Sequence, residues 1–340
     1  MDCKHIVFTK KDTAELIMTE KKAPGEHEVV IKTEFSTVSC GTERANVSGD
    51  ANIAAGAPAG EVVFPRYAGY SSAGVVVEIG SQVSNVKVGD RVIVYWGMHK
   101  EYNTINEKNV VKIDYDNISF SEAAIVFIST FPLAAIRKLN LEIGESMLVM
   151  GQGILGQLAV KLARAAGAAP IIAADPVEER RKEALAAGAD YALDPLAEGF
   201  SEEVKRLTNG GVKTVVEVTG VGAGFDTALD CMAKFGRIAL LGCTRDKNFT
   251  IDYYRKIHYP GITVVGAHTA ARPDVESHHG YYTHTDDIKA VLKLCALGRI
   301  TLSDMVKEIY SPEQCTDVYK QLVEDKNFPT VVQFDWSKIQ

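Results

Sequence analysis

The sequence predicts an α/β chain in two parts, a small, mostly β, barrel-like domain and a doubly wound parallel sheet. A C-terminal segment is expected to rejoin the first part. Three observations carry this. The chain has 340 residues, more than the roughly 150 of an ordinary single domain. Short β-type runs dominate residues 28–102, and from about residue 121 apolar strands alternate with helical runs around a glycine-rich turn. Hydrophobic residues make up 46% and charged residues 24%, a globular composition that excludes a largely disordered chain. A core of this size needs neither disulfides nor a structural metal to fold.

In the first part, EVVIKTEF, AGVVVEIG and DRVIVYW read as strands, with Gly80-Ser81 and Gly89-Asp90 as the turns between them. Helical patterning is thin there. A helical stretch over 121–139 then leads into the strand 147–150, the turn GQGILG and an Ala/Leu-rich helix to about residue 166. Further strands are predicted at 170–174, 191–193, 214–218, 238–241 and 262–265, separated mostly by helical runs such as EERRKEALAAGA and GFDTALDCMAKF. Six strands alternating with helices imply a doubly wound parallel sheet. Amphipathic helices over 286–297 and 312–323 and the strand-like VVQFDW are too few for a third domain. The expected division is therefore 1–120 with 268–340, and 121–267.

Lys and Arg number 37 against 44 Asp and Glu, a net charge of −7, with no long basic block. That balance speaks against nucleic acid or an anionic membrane surface as a partner. No apolar run approaches the length of a membrane span, and MDCKHIVFTKKD lacks the apolar stretch of a signal peptide. Six scattered cysteines without a C-x-x-C pair fit reduced thiols, and so a cytoplasmic protein.

The segment MLVMGQGILGQLAVKLA places Gly151, Gly153 and Gly156 in the spacing G-x-G-x-x-G between a strand and a helix, with Asp175 about 20 residues on, at the end of the next strand. Gly151 permits the tight turn, Gly153 lets the backbone approach a pyrophosphate, and Gly156 lets the helix pack on the strand. The helix N-terminus, at Ile154 and Leu155, favours negative charge. Asp175 accepts ribose hydroxyls and repels a 2′-phosphate, which predicts NAD(H) rather than NADP(H). Arg180 is expected to flank the adenosine, with a solvated helix charge as the alternative. Thr219 and Gly242, at the ends of two later strands, complete the expected cofactor set.

A β-rich N-terminal part before such a unit, with a C-terminal return, resembles the medium-chain dehydrogenase/reductase (alcohol dehydrogenase-like) superfamily. The carrying motifs are SCGTE (39–43), AGYSSAGVVVEIGSQV (68–83) followed by VGDRV (88–92), and GQGILG. The resemblance implies a GroES-like barrel plus a Rossmann domain, hydride transfer between an alcohol or carbonyl and a nicotinamide, and a homodimer or homotetramer. SCGTE with GYSS is most similar to the bacteriochlorophyllide (hydroxyethyl-chlorin) dehydrogenase-like subgroup.

The sequence departs from the zinc-using members at each metal position. Cys40 remains, but the family's G-H-E reads Gly69-Tyr70-Ser71, and the later ligand position falls in VFIST (126–130), which offers none. The four-cysteine structural-zinc lobe is replaced by YWGMHKEY (95–102). A zinc site needs three protein ligands and an open position, so neither a catalytic nor a structural zinc is expected. A residual metal site of Cys40, Glu43 and a distant histidine stays open as an alternative.

Without zinc, a side chain must handle the hydroxyl proton. By the resemblance, Thr42 matches the residue whose hydroxyl touches the substrate oxygen, Tyr70 replaces the ligand histidine, and Glu43 replaces the acid behind it. The reading is that the Tyr70 hydroxyl contacts the reacting oxygen while Glu43 and Thr42 orient it or relay the proton. A phenol, with a pKa ordinarily about 10, needs positive charge nearby to act as a base near neutrality. The alternative is that Tyr70 merely fills the vacated metal cavity. Cys40 reads as a relic or a packed thiol.

The loop HTAARPDVESHHGYYTH (268–284) holds four of the eight histidines. It is read by default as a solvated loop, with His268 as an alternative acid or base. His99 and Lys100 are expected to face a cleft or solvent. The leading function is a zinc-independent, NAD-linked dehydrogenase of a polar hydroxyl compound, a polyol or sugar derivative. An enone or quinone reductase and a non-catalytic NAD-binding protein are the alternatives.

Overall fold

A computed structural model describes residues 2–50, 62–244 and 248–339. The chain opens with strands β1 (Asp2–Lys10), β2 (Thr13–Glu20) and β3 (Glu28–Val38), helix α1 (Cys40–Val47), and strands β4 (Arg66–Tyr67), β5 (Ser71–Ile79), β6 (Arg91–Tyr95), β7 (Tyr102–Asn106) and β8 (Val110–Lys112). Helix α2 (Phe120–Lys138) precedes an alternation of β9 (Met147–Met150), α3 (Ile154–Ala166), β10 (Ile171–Ala174), α4 (Glu178–Ala186), β11 (Tyr191–Leu193), α5 (Phe200–Leu207), β12 (Val212–Glu217), α6 (Gly222–Asp230), β13 (Met232–Leu240) and β14 (Thr263–Gly266). Helix α7 (His284–Ala296), β15 (Glu308–Tyr310), α8 (Cys315–Glu324) and β16 (Val332–Asp335) close the chain.

Two compact units result, Met1–Ile128 with Ile288–Gln340, and Ser129–Asp287. The sequence expectation had set these limits at 120/121 and 267/268. In the first unit β16, β3, β5, β6 and β8 form a largely antiparallel sheet extended by β15 and β7, beside a smaller sheet of β2, β1 and β4. Strand β3 owes its central place to its sequence: EVVIKTEFSTV is rich in β-branched residues, and most of it is buried. Ile6, Phe8, Val38, Tyr319, Phe334 and Trp336 join the N-terminal strands and the C-terminal return in one core.

The second unit is a six-stranded sheet in the order β11-β10-β9-β12-β13-β14, parallel at every pair. Its first strand, β9, is central, and the chain winds outward to one side and then the other. The C-terminal ends of β9 and β12 therefore flank the point where strand order reverses, the place where such sheets bind ligands. Strands MLVM and IIAA are wholly buried, as strands covered on both faces must be. Helix α3 stops at Gly167, whose left-handed backbone (φ 89°) returns its amide to the carbonyls of Ala163 and Arg164.

Three sequence expectations need correction. The hairpin of β1 and β2 has no predicted counterpart, because TAELIMTE mixes strong helix formers into a strand; the two-residue turn with Asp12 at φ 57° and the pairing with β1 decide it. Helical patterning reads as thin in the first part, yet SCGTE runs into helix α1 there. One apolar segment does reach membrane-span length: α2 passes by length and composition, yet most of it is buried within the protein, as a core helix.

His5 on β1 lies buried against Tyr67, ring centroids 5.3 Å apart, and its Nε2 has no hydrogen-bond partner among the described residues. Burial, with Lys100 and His99 adding to it, pushes this imidazole down to about 4 from its ordinary 6.5. A depressed histidine contributes stability that is fully present above pH 6.5 and is lost as the pH falls toward 4. His5→Phe is expected to flatten that loss. Denaturant melts of wild type and variant across this window check it, and identical slopes refute it.

Candidate active site and dinucleotide-binding turn

The glycine turn sits at the reversal point of the parallel sheet. Gly151 adopts φ 93°, a conformation open to glycine. A Cβ on Gly156 would stand 1.9 Å from the Gly151 carbonyl oxygen, so the close approach of α3 to β9 requires glycine there. A Cβ on Gly153 would meet nothing within 4 Å, leaving the backbone accessible from outside. The first-turn amides of Ile154, Leu155 and Gly156 have no partner inside their helix and present a positive dipole end.

Asp175 is 3% exposed at the end of β10. One carboxylate oxygen accepts the Gln152 amide (2.8 Å) and the other the Val177 amide (2.9 Å), so the acid ties the turn to the next helix. Each oxygen retains a second lone pair for a further donor. Arg180 stands with a guanidinium nitrogen 3.9 Å from Asp175. Thr219 lies beside Gly151, with 3.1 Å from its methyl to where a Gly151 Cβ would sit.

A pocket of about 60 Å³ opens beyond, lined by Glu217, Gly220, Gly242 and Phe249 among others. Glu217, missed in the sequence because it ends an apolar strand, accepts the Thr219 amide (2.8 Å), the Thr219 hydroxyl and the Gly220 amide (3.2 Å). Burial raises its carboxyl above the ordinary range, against the pull of these donors. It shapes the turn that carries Thr219.

In the first unit the candidate catalytic residues gather around the start of α1. Ser39 is its N-cap residue, but the Ser39 side chain makes no cap bond. Glu43 caps instead, its Oε1 accepting the Ser39 amide (2.9 Å), and the freed Ser39 hydroxyl accepts a hydrogen bond from the Tyr70 phenol. Glu43 and Tyr70 thus meet on the same residue, the carboxylate at the Ser39 amide and the phenol at the Ser39 hydroxyl. Thr42 is exposed one turn into the helix. The Cys40 sulfur lies 3.6–3.8 Å from the carbonyl oxygens of Val38, Pro329 and Thr330, the environment of a packed thiol.

His99 is not at a cleft or in solvent. It is 0% exposed, its Nε2 3.1 Å from Glu43 Oε2 and its Nδ1 2.7 Å from Ser36 Oγ. The Tyr319 hydroxyl donates to Glu43 as well. These long-range partners carry no local sequence signal; a lone histidine in a shortened lobe is the one hint. Lys100 is half-buried and donates to the Glu20 carbonyl (3.2 Å).

The 268–284 loop is anchored, not merely solvated. Arg272 pairs with the buried Asp287 (3.0 Å) and donates to the Thr130 carbonyl (3.1 Å). Arg137 pairs with the same carboxylate (2.8 Å) and lies 3.6 Å over the Tyr282 ring. Burial pushes Asp287 up to about 6 despite both guanidiniums, and burial pushes His284 down to about 3. His268 is exposed, its Nδ1 accepting the Ala270 amide (3.2 Å), and it belongs to the second unit.

Residues 25–115 match the family described as alcohol dehydrogenase GroES-like domain, and residues 155–279 match zinc-binding dehydrogenase. The L-threonine 3-dehydrogenase of Pyrococcus horikoshii is 30% identical over 74% of this chain and 79% of its own length. The chain belongs to the zinc-binding, alcohol dehydrogenase-like superfamily. The D-guloside 3-dehydrogenase of Escherichia coli is 25% identical over 94% and 96% of the two chains. The fold matches benzyl alcohol dehydrogenase from Acinetobacter calcoaceticus, with a TM-score of 0.83, 20% identity and coverage of 98% and 99%.

The residues of this dehydrogenase do not fit the zinc its family's name implies. Cys40 is packed against carbonyls, and the Glu43 carboxylate is taken up by three donors. Among the described residues no three His, Cys, Asp or Glu side chains stand together as a metal site needs. The dinucleotide turn, by contrast, fits its ligand. Gly156→Ala is expected to weaken NADH binding by at least about tenfold by forcing α3 off β9. A fluorescence titration with NADH checks this, and unchanged affinity in a folded variant refutes it.

Proposed function

We propose that this dehydrogenase interconverts a hydroxyl and a carbonyl on a polar small molecule, a polyol or sugar derivative, using NAD(H) and no catalytic zinc. The observation that carries the reading is the Tyr70 phenol, held on Ser39 beside the exposed Trp96; the resemblance of the GYSS motif, which puts this residue in place of the ligand histidine, supports it. Alcohol oxidation requires the hydroxyl proton to leave, and carbonyl reduction requires one to arrive. The dinucleotide, when bound, supplies the hydride acceptor or donor. In oxidation the Tyr70 phenol releases its own proton through the Ser39 hydroxyl and, as phenolate, takes the proton of the reacting hydroxyl; in reduction the phenol gives its proton to the carbonyl oxygen and Ser39 donates to the phenolate that remains. The exposed Thr42 offers a second hydroxyl to the substrate.

Asp175, with Gly151, Gly153 and Gly156, Ile154, Leu155, Arg180, Thr219 and Gly242, forms the dinucleotide set of this reading. The carboxylate at the ribose position supports NAD over NADP, since a 2′-phosphate there meets like charge. Relatives named for a D-guloside and for L-threonine support a polar hydroxyl compound. So does Trp96, 43% exposed with its ring 5.6 Å from Tyr70, an apolar face suited to the C–H face of a sugar ring. A homo-oligomer is part of the proposal, supported by the edge strand β14 and the exposed Phe235, Tyr259 and Val264 near it.

The test follows NADH absorbance while chelator-treated protein is offered NAD with polyols, sugars, L-threonine and simple alcohols. Turnover that survives chelation and falls by about 100-fold or more in Tyr70→Phe is the expected result. Undiminished turnover in Tyr70→Phe, activity that appears only on adding zinc, or reduction of enones alone overturns the reading. Asp175→Ser is expected to shift the NAD/NADP preference toward NADP by about tenfold, the scale of a charge-assisted hydrogen bond. Competitive binding of the two reduced cofactors measures it.

A further inference from the structure

We propose that His99 is a positioning residue that holds Tyr70 from two sides, through Glu43 on the side of its hydroxyl and through Gly69 on the side of its backbone. The proposal rests on the role given to Tyr70 above and adds to it a residue that touches neither substrate nor cofactor.

On the hydroxyl side the hydrogen bonds form one consistent set. The Glu43 carboxylate accepts the Ser39 amide (2.9 Å) and the Tyr319 hydroxyl, and both its oxygens lie within 3.2 Å of His99 Nε2. A carboxylate offers only lone pairs, so Nε2 carries the proton. Ser36 Oγ accepts the Trp336 indole N–H (2.9 Å), which leaves its own hydrogen for His99 Nδ1 at 2.7 Å. Every hydrogen then meets a lone pair, and the imidazole has one orientation. Glu43, fixed in this way, fixes the Ser39 amide. Ser39 in turn presents to Tyr70 the hydroxyl that its helix does not use.

On the backbone side the turn that carries His99 is zipped to the segment that carries Tyr70. The His99 amide donates to the Ala68 carbonyl (2.8 Å) and the Trp96 amide to the Tyr70 carbonyl (2.9 Å). Between them Gly69 sits at φ 87°, and a Cβ there would stand 2.5 Å from the His99 backbone nitrogen and 2.7 Å from its ring carbon Cγ. The imidazole occupies the space of the side chain that Gly69 lacks. The ring therefore fixes where the Tyr70 backbone runs as well as what its hydroxyl meets.

Burying an imidazole against a carboxylate is a weak route to stability, because desolvation offsets much of the attraction. What such a network supplies here is one geometry. The test uses the full chain labelled with carbon-13 at tyrosine Cζ, with the Tyr70 resonance identified as the one lost in Tyr70→Phe. In folded His99→Leu, with Ser36→Ala as the milder substitute should that variant not fold, the Tyr70 resonance is expected to move toward that of free tyrosine. His99→Gln, which keeps an N–H toward Glu43, is expected to restore it. A Tyr70 resonance unmoved in a folded variant, or one moved equally by His99→Gln, overturns the proposal. Failure of the Tyr70 reading shows separately, as undiminished turnover in Tyr70→Phe while its resonance still responds to His99.

Discussion

The first unit depends on one buried carboxylate. Glu43 draws donors from the start of α1, from α8 and from the turn after β6, and through His99 and Ser36 it reaches β3 and the C-terminal Trp336. A charge at 1% exposure is tolerable only when its lone pairs are matched by donors. That requirement brings residues from both ends of the chain to one place. The C-terminal return is therefore more than a lid on the barrel: Tyr319 and Trp336 help complete the geometry from which Tyr70 is presented.

The second unit solves a simpler problem. A parallel sheet that winds outward from β9 leaves the ends of β9 and β12 beside a reversal of strand order. A short turn there exposes backbone amides that no strand or helix satisfies. Asp175 and Glu217 stand at the ends of β10 and β12, and each spends its oxygens on the amides of these turns. Two acids at strand ends thus set the loop shapes on which the dinucleotide reading rests.

Much of this was legible in the sequence. The six parallel strands and the glycine turn follow from local pattern and spacing, because a doubly wound sheet writes its alternation directly into the chain. The motif residues 39–43 and 68–71 marked the segments from which Ser39, Glu43 and Tyr70 come together. What stayed hidden was pairing across distance. Nothing beside His99 in the sequence announces Glu43, Ser36 or the tyrosine of α8, and nothing in TAELIMTE announces a strand. Arg272 in a polar loop gave no sign of a carboxylate waiting for it at Asp287. Burial of polar groups is a property of partners, and partners far apart in the chain leave no periodic trace.

The double guanidinium clasp on Asp287 divides the 268–284 loop into two kinds of chain. Arg272 at one end and Tyr282 at the other are held, the first by its ion pair and the second under Arg137. Ser277 is held too, by Asp286 and Thr283, and His278 pairs with Tyr281, so the free span is Asp274, Val275 and Glu276, all exposed, Val275 by 93%. Extra residues placed in that span lengthen a tether whose ends stay fixed, at an entropic cost that grows only slowly with length. This is the stretch of the surface where a reporter group or an epitope can be grafted while the fold beneath it keeps its anchors.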